Sequence, residues 1–153
     1  MGFLTGKTAI ITGGGRAVLS NGECGSIGYG IATAYAKEGA NLVLTGRNVQ
    51  KLTDAKEELE KKYGIKVLPV QADVSAGSDN EAIVQNVVKQ AIDTFGRIDV
   101  LINNAQASAS GVTIADHTTE QFDLAVYSGL YAAFYYMKAC YPYPVSYTHL
   151  RAH

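Results

Sequence analysis

The pattern that most restricts this chain is a regular alternation of short apolar runs with helical repeats, with glycines crowded at the first junction. Thr8-Ala9-Ile10-Ile11 has the length and character of a buried strand, and Thr12-Gly13-Gly14-Gly15 follows it directly. Ile27, Ile31, Ala34 and Tyr35 then recur at helical spacing, and Gly39 is placed to stop that helix. Leu42-Val43-Leu44 reads as a second strand. Asn48 is a helix cap before an inward face of Val49, Leu52, Ala55, Leu59 and Tyr63, with Gly64 as the stop. Residues 67–70 form a third strand, interrupted by Pro69. Val84, Val87, Val88, Ala91, Ile92 and Phe95 make an apolar helical stripe closed by Gly96, and residues 98–102 form a fourth strand. Thr118 and Gln121 have capping-box spacing and open a helix carrying Phe122, Val126, Leu130 and Phe134, which runs to about Cys140.

Strands and helices in alternation imply parallel strands joined by right-handed crossovers. Strands buried on both faces of a parallel sheet are apolar throughout rather than alternating, as these are. The expected fold is therefore α/β: an incomplete Rossmann-type doubly wound parallel sheet of about four strands, order 3-2-1-4, with flanking helices. That order leaves the third strand at an edge, which suits Pro69, because proline within a sheet is confined largely to edges. Residues 1–144 are expected to form the N-terminal part of one dinucleotide-binding domain.

A chain of 153 residues is long enough for one domain with a sizeable core. Thirteen basic residues against fourteen acidic ones leave no electrostatic footprint for nucleic acid or an acidic membrane. No apolar run reaches the length of a membrane span, and the first residues lack the pattern of a signal peptide. Gly6 stands where an N-myristoylation motif needs Ser or Thr. Two widely separated cysteines, Cys24 and Cys140, fit a reduced, cytoplasmic protein in which both are small core or loop residues.

Glycines between a first strand and a first helix let a backbone approach a diphosphate closely, and the free N–H groups at the helix start then face its charge. Gly13, Gly14, Ser26, Ile27 and Gly28 are the candidates here. Residues 16–25 separate the two glycine clusters and are long for a tight phosphate turn. A flap over the cofactor and an insertion that loops outward are both open readings. After the second strand, where an NAD site places an acidic residue against the ribose, stands Arg47. It is suited to the 2′-phosphate of NADP; the plainer alternative is a solvated arginine at a helix start. Asp73 and Val74 follow the third strand. Asp73 is either an adenine neighbour or a turn cap.

Thr12-Gly13 with Ser26-Ile27-Gly28, then Asp73-Val74, then Asn103-Asn104-Ala105, resemble the ordered landmarks of the short-chain dehydrogenase/reductase family. The resemblance covers about residues 5–144. It implies that Gly13, Ser26, Ile27 and Gly28 hold the pyrophosphate, that Asp73 and Val74 meet adenine, and that Asn104 and Ala105 support the central strand beside the nicotinamide ribose. The runs from Leu101 to Gly111 and from Phe122 to Tyr131 are similar to the NADP-dependent 12α-hydroxysteroid dehydrogenases of bacteria, a branch that acts on bile acids. A small-molecule steroid substrate and a homotetrameric parent are implied by this likeness alone. The chain departs from the family at Gln106, where glycine is usual, at Gly129, where a helix asparagine is usual, and in the length of residues 16–25.

The same resemblance places a catalytic serine and a Tyr-x-x-x-Lys motif beyond the helix that ends near Cys140, so no catalytic residue is expected within this chain. Ser146, Tyr147 and Arg151 echo that set superficially, but there is no room between serine and tyrosine for the required strand and helix. Arginine is also a poor substitute for the lysine. Residues 145–153 resemble a translated sequencing adapter and are expected to be a non-native tail without structure. The fourth strand would then be an open edge. The leading expectation is an alcohol–ketone oxidoreductase whose catalytic half is missing. Reduction of another carbonyl, such as an acyl thioester, and a non-catalytic dinucleotide-binding module are the alternatives.

Overall fold

The structure is a computed structural model that describes residues 2–143 in full and the backbone of residues 149–152. Its elements, in chain order, are β1 (Thr8–Thr12), α1 (Ile27–Lys37), β2 (Asn41–Gly46), α2 (Val49–Tyr63), β3 (Val67–Gln71), α3 (Asn80–Phe95), β4 (Val100–Asn103), α4 (Thr119–Val126), a π turn (Tyr127–Tyr131), α5 (Ala132–Cys140) and β5 (His149–Ala152). The strands are parallel and ordered β3-β2-β1-β4-β5. The expected 3-2-1-4 order is present, and Pro69 sits on the edge strand β3, opposite Leu44.

Alternate residues of each strand point to opposite faces, which divides the core in two. Ala9, Ile11, Leu42, Leu44, Val100 and Ile102 pack with α1 and α2, whereas Ile10, Val43 and Leu101 pack with α3 and α5. The stripe on α3 is buried at Val84, Val87, Val88 and Ala91, and α2 buries Leu52, Ala55 and Leu59. Asn48 caps α2, Thr118 and Gln121 form the capping box of α4, and Gly39, Gly64 and Gly96 stand where helices stop.

Three helices, α1, α4 and α5, face differently from the apolar pattern. On α1 the buried positions are Gly28, Tyr29, Ala32 and Ala36, while Ile27 is 72% exposed. Small residues four apart let the helix lie close on the strands, so size rather than hydrophobicity selects the inner face. Along α4 and α5 the expected stripe faces outward. Phe122, Leu130 and Phe134 are exposed, and Ser128, Ala132, Ala133, Tyr136 and Cys140 are the buried positions.

The fourth strand is also not an edge, and the tail expected to lack structure contains a strand at His149–Ala152. Val100, Leu101, Ile102 and Asn103 pair in parallel with His149, Leu150, Arg151 and Ala152. The unpaired N–H and C=O groups of a central apolar strand are a template that the following chain satisfies. Residues 144–148 and 153, which include Ser146 and Tyr147, lie outside the described residues.

At the amino end of the sheet a buried carboxylate clamps β1 to β4. Asp99 accepts from the Thr8 amide at 2.9 Å and from Arg97 Nε at 2.7 Å, and Lys7 Nζ lies 3.4 Å away. Burial pushes the Asp99 pKa up, but Arg97, the Thr8 amide and Lys7 together outweigh it and hold the carboxyl below its ordinary range.

Candidate dinucleotide site

The opposite, carboxyl end of the sheet is open. Here the first connection leaves β1 and must return along α1, and the chain cannot both turn sharply and keep side chains. Gly13 has φ 72°, and a Cβ on it would lie 2.9 Å from Asn104 Nδ2. A Cβ on Gly28 would sit 2.1 Å from the Gly13 carbonyl oxygen, so α1 approaches the loop with no room for any side chain. The amides of Gly13 and Gly14 both donate to the Thr45 carbonyl, at 2.8 and 3.1 Å, which fastens the loop to β2.

Ser26 caps α1, its hydroxyl accepting from the Tyr29 amide at 3.4 Å. The first intrahelical bond runs from the Gly30 amide to the Ser26 carbonyl, so the amides of Ile27 and Gly28 precede the ladder. A helix start of this kind carries partial positive charge.

Two cavities of about 270 and about 260 Å³ share Gly13, Gly46 and Arg47 and so make one trough across the strand ends. Asp73, Val74, Asn104, Ala105 and Gln106 line one part, and Gly15, Ala17, Ser26 and Lys51 line the other. Of the residues singled out in the sequence, Gly13, Ser26, Arg47, Asp73, Val74, Asn104 and Ala105 thus meet around one space. Gly14, Ile27 and Gly28 do not line it. Gly14 is buried, and a Cβ on it would lie 2.8 Å from a Leu44 methyl. The side chain of Ile27 points to solvent, and Gly28 stands behind the loop.

The Arg47 side chain is exposed and makes no ion pair among the described residues. Asp73 is already engaged: its Oδ1 accepts from the Ser75 amide at 2.9 Å and from the Ser75 hydroxyl at 2.6 Å. Burial raises its pKa, but the Ser75 bonds and the charge of Arg47 prevail and hold the carboxyl low. The turn-cap role is thus present in the geometry, within reach of the trough. Asn104 spans the central strands. Its Nδ2 donates to the Thr12 carbonyl at 2.9 Å, and the amides of Asn104 and Ala105 both donate to Thr12 Oγ1 at 2.9 Å.

Residues 16–25 are neither loose nor tightly wound. Val18 and Cys24 bridge in antiparallel fashion, Gly25 donates to Ala17 at 2.7 Å, and the Arg16 side chain pairs with Glu58 of α2. The segment is a short hairpin with its base, at Gly15 and Ala17, on the trough wall and its tip, at Leu19 and Ser20, in solvent.

Sequence reasoning missed Ser128. It is buried in the π turn, where its hydroxyl accepts from the Ala107 amide and lies 2.9 Å from the Ala107 carbonyl, and it also reaches the Leu124 carbonyl at 2.7 Å. It ties the loop after β4 to the helix. No motif signals it, because the π turn that turns it inward is a tertiary feature.

A dinucleotide fits what is present: glycines whose Cβ would close the cradle, a helix start that reaches the trough wall at its cap Ser26, and at one end a cation with no ion pair among the described residues. The family model described as short chain dehydrogenase matches residues 7–148. The chain is 64% identical, over 94% of its length, to 52% of a 12alpha-hydroxysteroid dehydrogenase from Clostridium sp.. Its fold is similar to L-sorbose reductase from Gluconobacter frateurii complexed with NADPH and L-sorbose, with 33% identity and a TM-score of 0.77 over 93% of this chain and 48% of that one. It is also similar to an alcohol dehydrogenase from Thermococcus sibiricus complexed with 5-hydroxy-NADP, with 28% identity and a TM-score of 0.76 over 89% of this chain and 52% of that one. The chain spans about half the length of the first two curated relatives it matches. Among the described residues, no helix is long and apolar enough to cross a membrane.

Proposed function

Because the chain belongs to the short chain dehydrogenase family, we propose that it is the cofactor-binding part of an NADP-dependent oxidoreductase that interconverts a secondary alcohol and a ketone, with a hydroxysteroid or bile acid as substrate. The observation that carries this reading is the trough, in which Arg47, the helix start behind Gly13, and Asn104 follow one another across the strand ends. The substrate class is supported by the 64% identity to a protein named for 12alpha-hydroxysteroid oxidation.

When bound, the nicotinamide supplies or accepts the hydride. The chain's own residues bind and orient. The start of α1 at Ile27 and Gly28 turns its partial positive charge towards the diphosphate, Gly13 leaves the space for it while its own amide holds the loop to Thr45, Gly14 supports the loop and Ser26 caps the helix. Arg47 offers its guanidinium to the 2′-phosphate, a bidentate contact that a ribose hydroxyl cannot return. Asp73 and Val74 flank the adenine, and Asn104 and Ala105 bound the nicotinamide ribose. At that inner end the lining side chains, Asn104 and Gln106, do not titrate near neutrality. On this reading the chain binds cofactor without turning over, the proton donor belongs to a catalytic segment outside residues 1–144, and residues 145–153 are a non-native tail. A homotetrameric parent is supported by the outward apolar face of Phe122, Leu130 and Phe134, and a cytoplasmic setting by the free Cys24 and Cys140.

Fluorescence titration with NADPH and NADH tests the cofactor reading. NADPH is expected to bind roughly tenfold or more tightly than NADH, and Arg47→Ala to remove that difference. Absence of binding, or equal affinity for both in the unaltered chain, overturns it. For the substrate, NADPH consumption by a full-length protein containing this sequence is expected with a 12-oxo bile acid and not with an acyl thioester.

A further inference from the structure

The loop after β4 holds one side chain in an unusual setting. Gln106 lies between two anchored neighbours: the Ala105 amide is bonded to Thr12 Oγ1, and both backbone groups of Ala107 meet Ser128 Oγ, all at 2.9 Å. Its backbone therefore has little freedom. Its side chain is exposed and makes no hydrogen bond to any described residue. It stands on the wall between the main trough and a smaller cleft lined by Thr12, Asn103, Ser128 and Gly129. Across that cleft, a Cβ on Gly129 would come within 3.4 Å of Gln106 Nε2 and 3.6 Å of its Cδ, so a longer side chain at 129 would displace the carboxamide. Gly129 belongs to the π turn, an irregularity that helices often carry at functional positions.

A polar group on an anchored backbone, without a partner among the described residues and lining a ligand trough, is arranged to meet a ligand rather than the protein. The direction of the trough says which part. The 2′-phosphate end is set by Arg47 and the diphosphate by the start of α1, so the remaining half of a dinucleotide runs over the end of β4, where Gln106 stands. We propose that the Gln106 carboxamide hydrogen-bonds the nicotinamide half of the bound cofactor, and that Gly129 is the residue that leaves it room. This rests on the cofactor reading above. It assigns to a side chain a contact that glycine at the same position could not make.

The test compares two ligands on the 153-residue chain and its Gln106→Ala variant. NADPH contains the nicotinamide half, and adenosine 2′,5′-bisphosphate lacks it. The variant is expected to bind NADPH roughly fivefold more weakly and the bisphosphate within twofold of the unaltered chain, with an unchanged melting temperature. Gly129→Val, which fills the cleft from the facing helix, is expected to weaken NADPH alone in the same way. An unchanged NADPH affinity in Gln106→Ala overturns the proposal. So does an equal loss for both ligands, which would mark Gln106 as a structural support of the loop. If the unaltered chain binds the bisphosphate but not NADPH, the inner end of the trough is not the nicotinamide site and this inference falls alone. If it binds neither, the cofactor reading falls and takes this inference with it.

Discussion

Strands β1 and β4 are tied together by side chains at both ends, and the two ties are opposites. At the amino end the tie is ionic and closed. The Asp99 side chain is 4% exposed, and it meets an amide, a guanidinium and an ammonium. At the carboxyl end the tie is neutral and leaves a gap. Thr12 and Asn104 satisfy each other's backbones, while beside them Gly13 has no side chain and Gln106 has no partner among the described residues. A buried charge with all its partners cannot spare a bond for a ligand. Neutral amides and bare backbone can fix the strands and still face an anion. One sheet thus separates the work of holding from the work of binding.

Three substitutions break or sharpen this contrast. Asp99→Ala has the largest expected effect on the fold, lowering unfolding free energy at pH 7 by roughly 3 kcal/mol in a urea titration, because the buried Thr8 amide loses its charged acceptor and Arg97 and Lys7 lose their shared carboxylate. The folded-state pKa of Asp99 is depressed, so its contribution is present above the unfolded carboxylate value of about 3.9 and is lost as pH falls through the folded value. The gap between the unaltered chain and the variant should accordingly close in acid; a gap that widens below about pH 4 contradicts the clamp.

Gly28→Ala acts at the other end. Its Cβ meets backbone rather than a movable side-chain tip, so α1 must back away from Gly13. A loss of roughly 2–3 kcal/mol in stability is expected, together with a loss of NADPH binding greater than that caused by Arg47→Ala. Retention of tight binding would mean that the cradle is not where the diphosphate lies. Thr12→Val is the mildest. It keeps the shape, leaves the Ala105 amide without its acceptor and the Asn104 amide with the Ile102 carbonyl alone, and should cost about 1.5 kcal/mol while leaving the ionic clamp unaffected. An additive double variant with Asp99→Ala would establish that the two ties are independent.

Much of this was legible in the residues themselves. The apolar runs and stops located the strands and helices, since period and length suffice for buried parallel strands. Pro69 identified an edge. Seven of the ten expected site residues line the trough because strand–loop junctions of a parallel sheet all emerge at one end. The inner face of α1 was not legible, because closeness of packing selected Gly28, Ala32 and Ala36 over larger apolar neighbours. The outward stripe of α4 and α5 misled for a related reason. Nor could spacing alone reveal Ser128 or the setting of Gln106, which depend on a π turn that shifts the helix register by one residue.

The linear order of residues determined what each segment is: strand or helix, where it stops, and which junction carries the glycines. Those are local matters of periodicity, capping and backbone freedom. Only the tertiary structure decided which groups would be spent on each other and which left over. Asp73 is engaged by its neighbour Ser75 and Asp99 by two cations and an amide, while Arg47 and Gln106 have no side-chain bond among the described residues and face a ligand. Availability of a polar group depends on what folding brings within about 3 Å of it, and that distance is not written in any one stretch of chain.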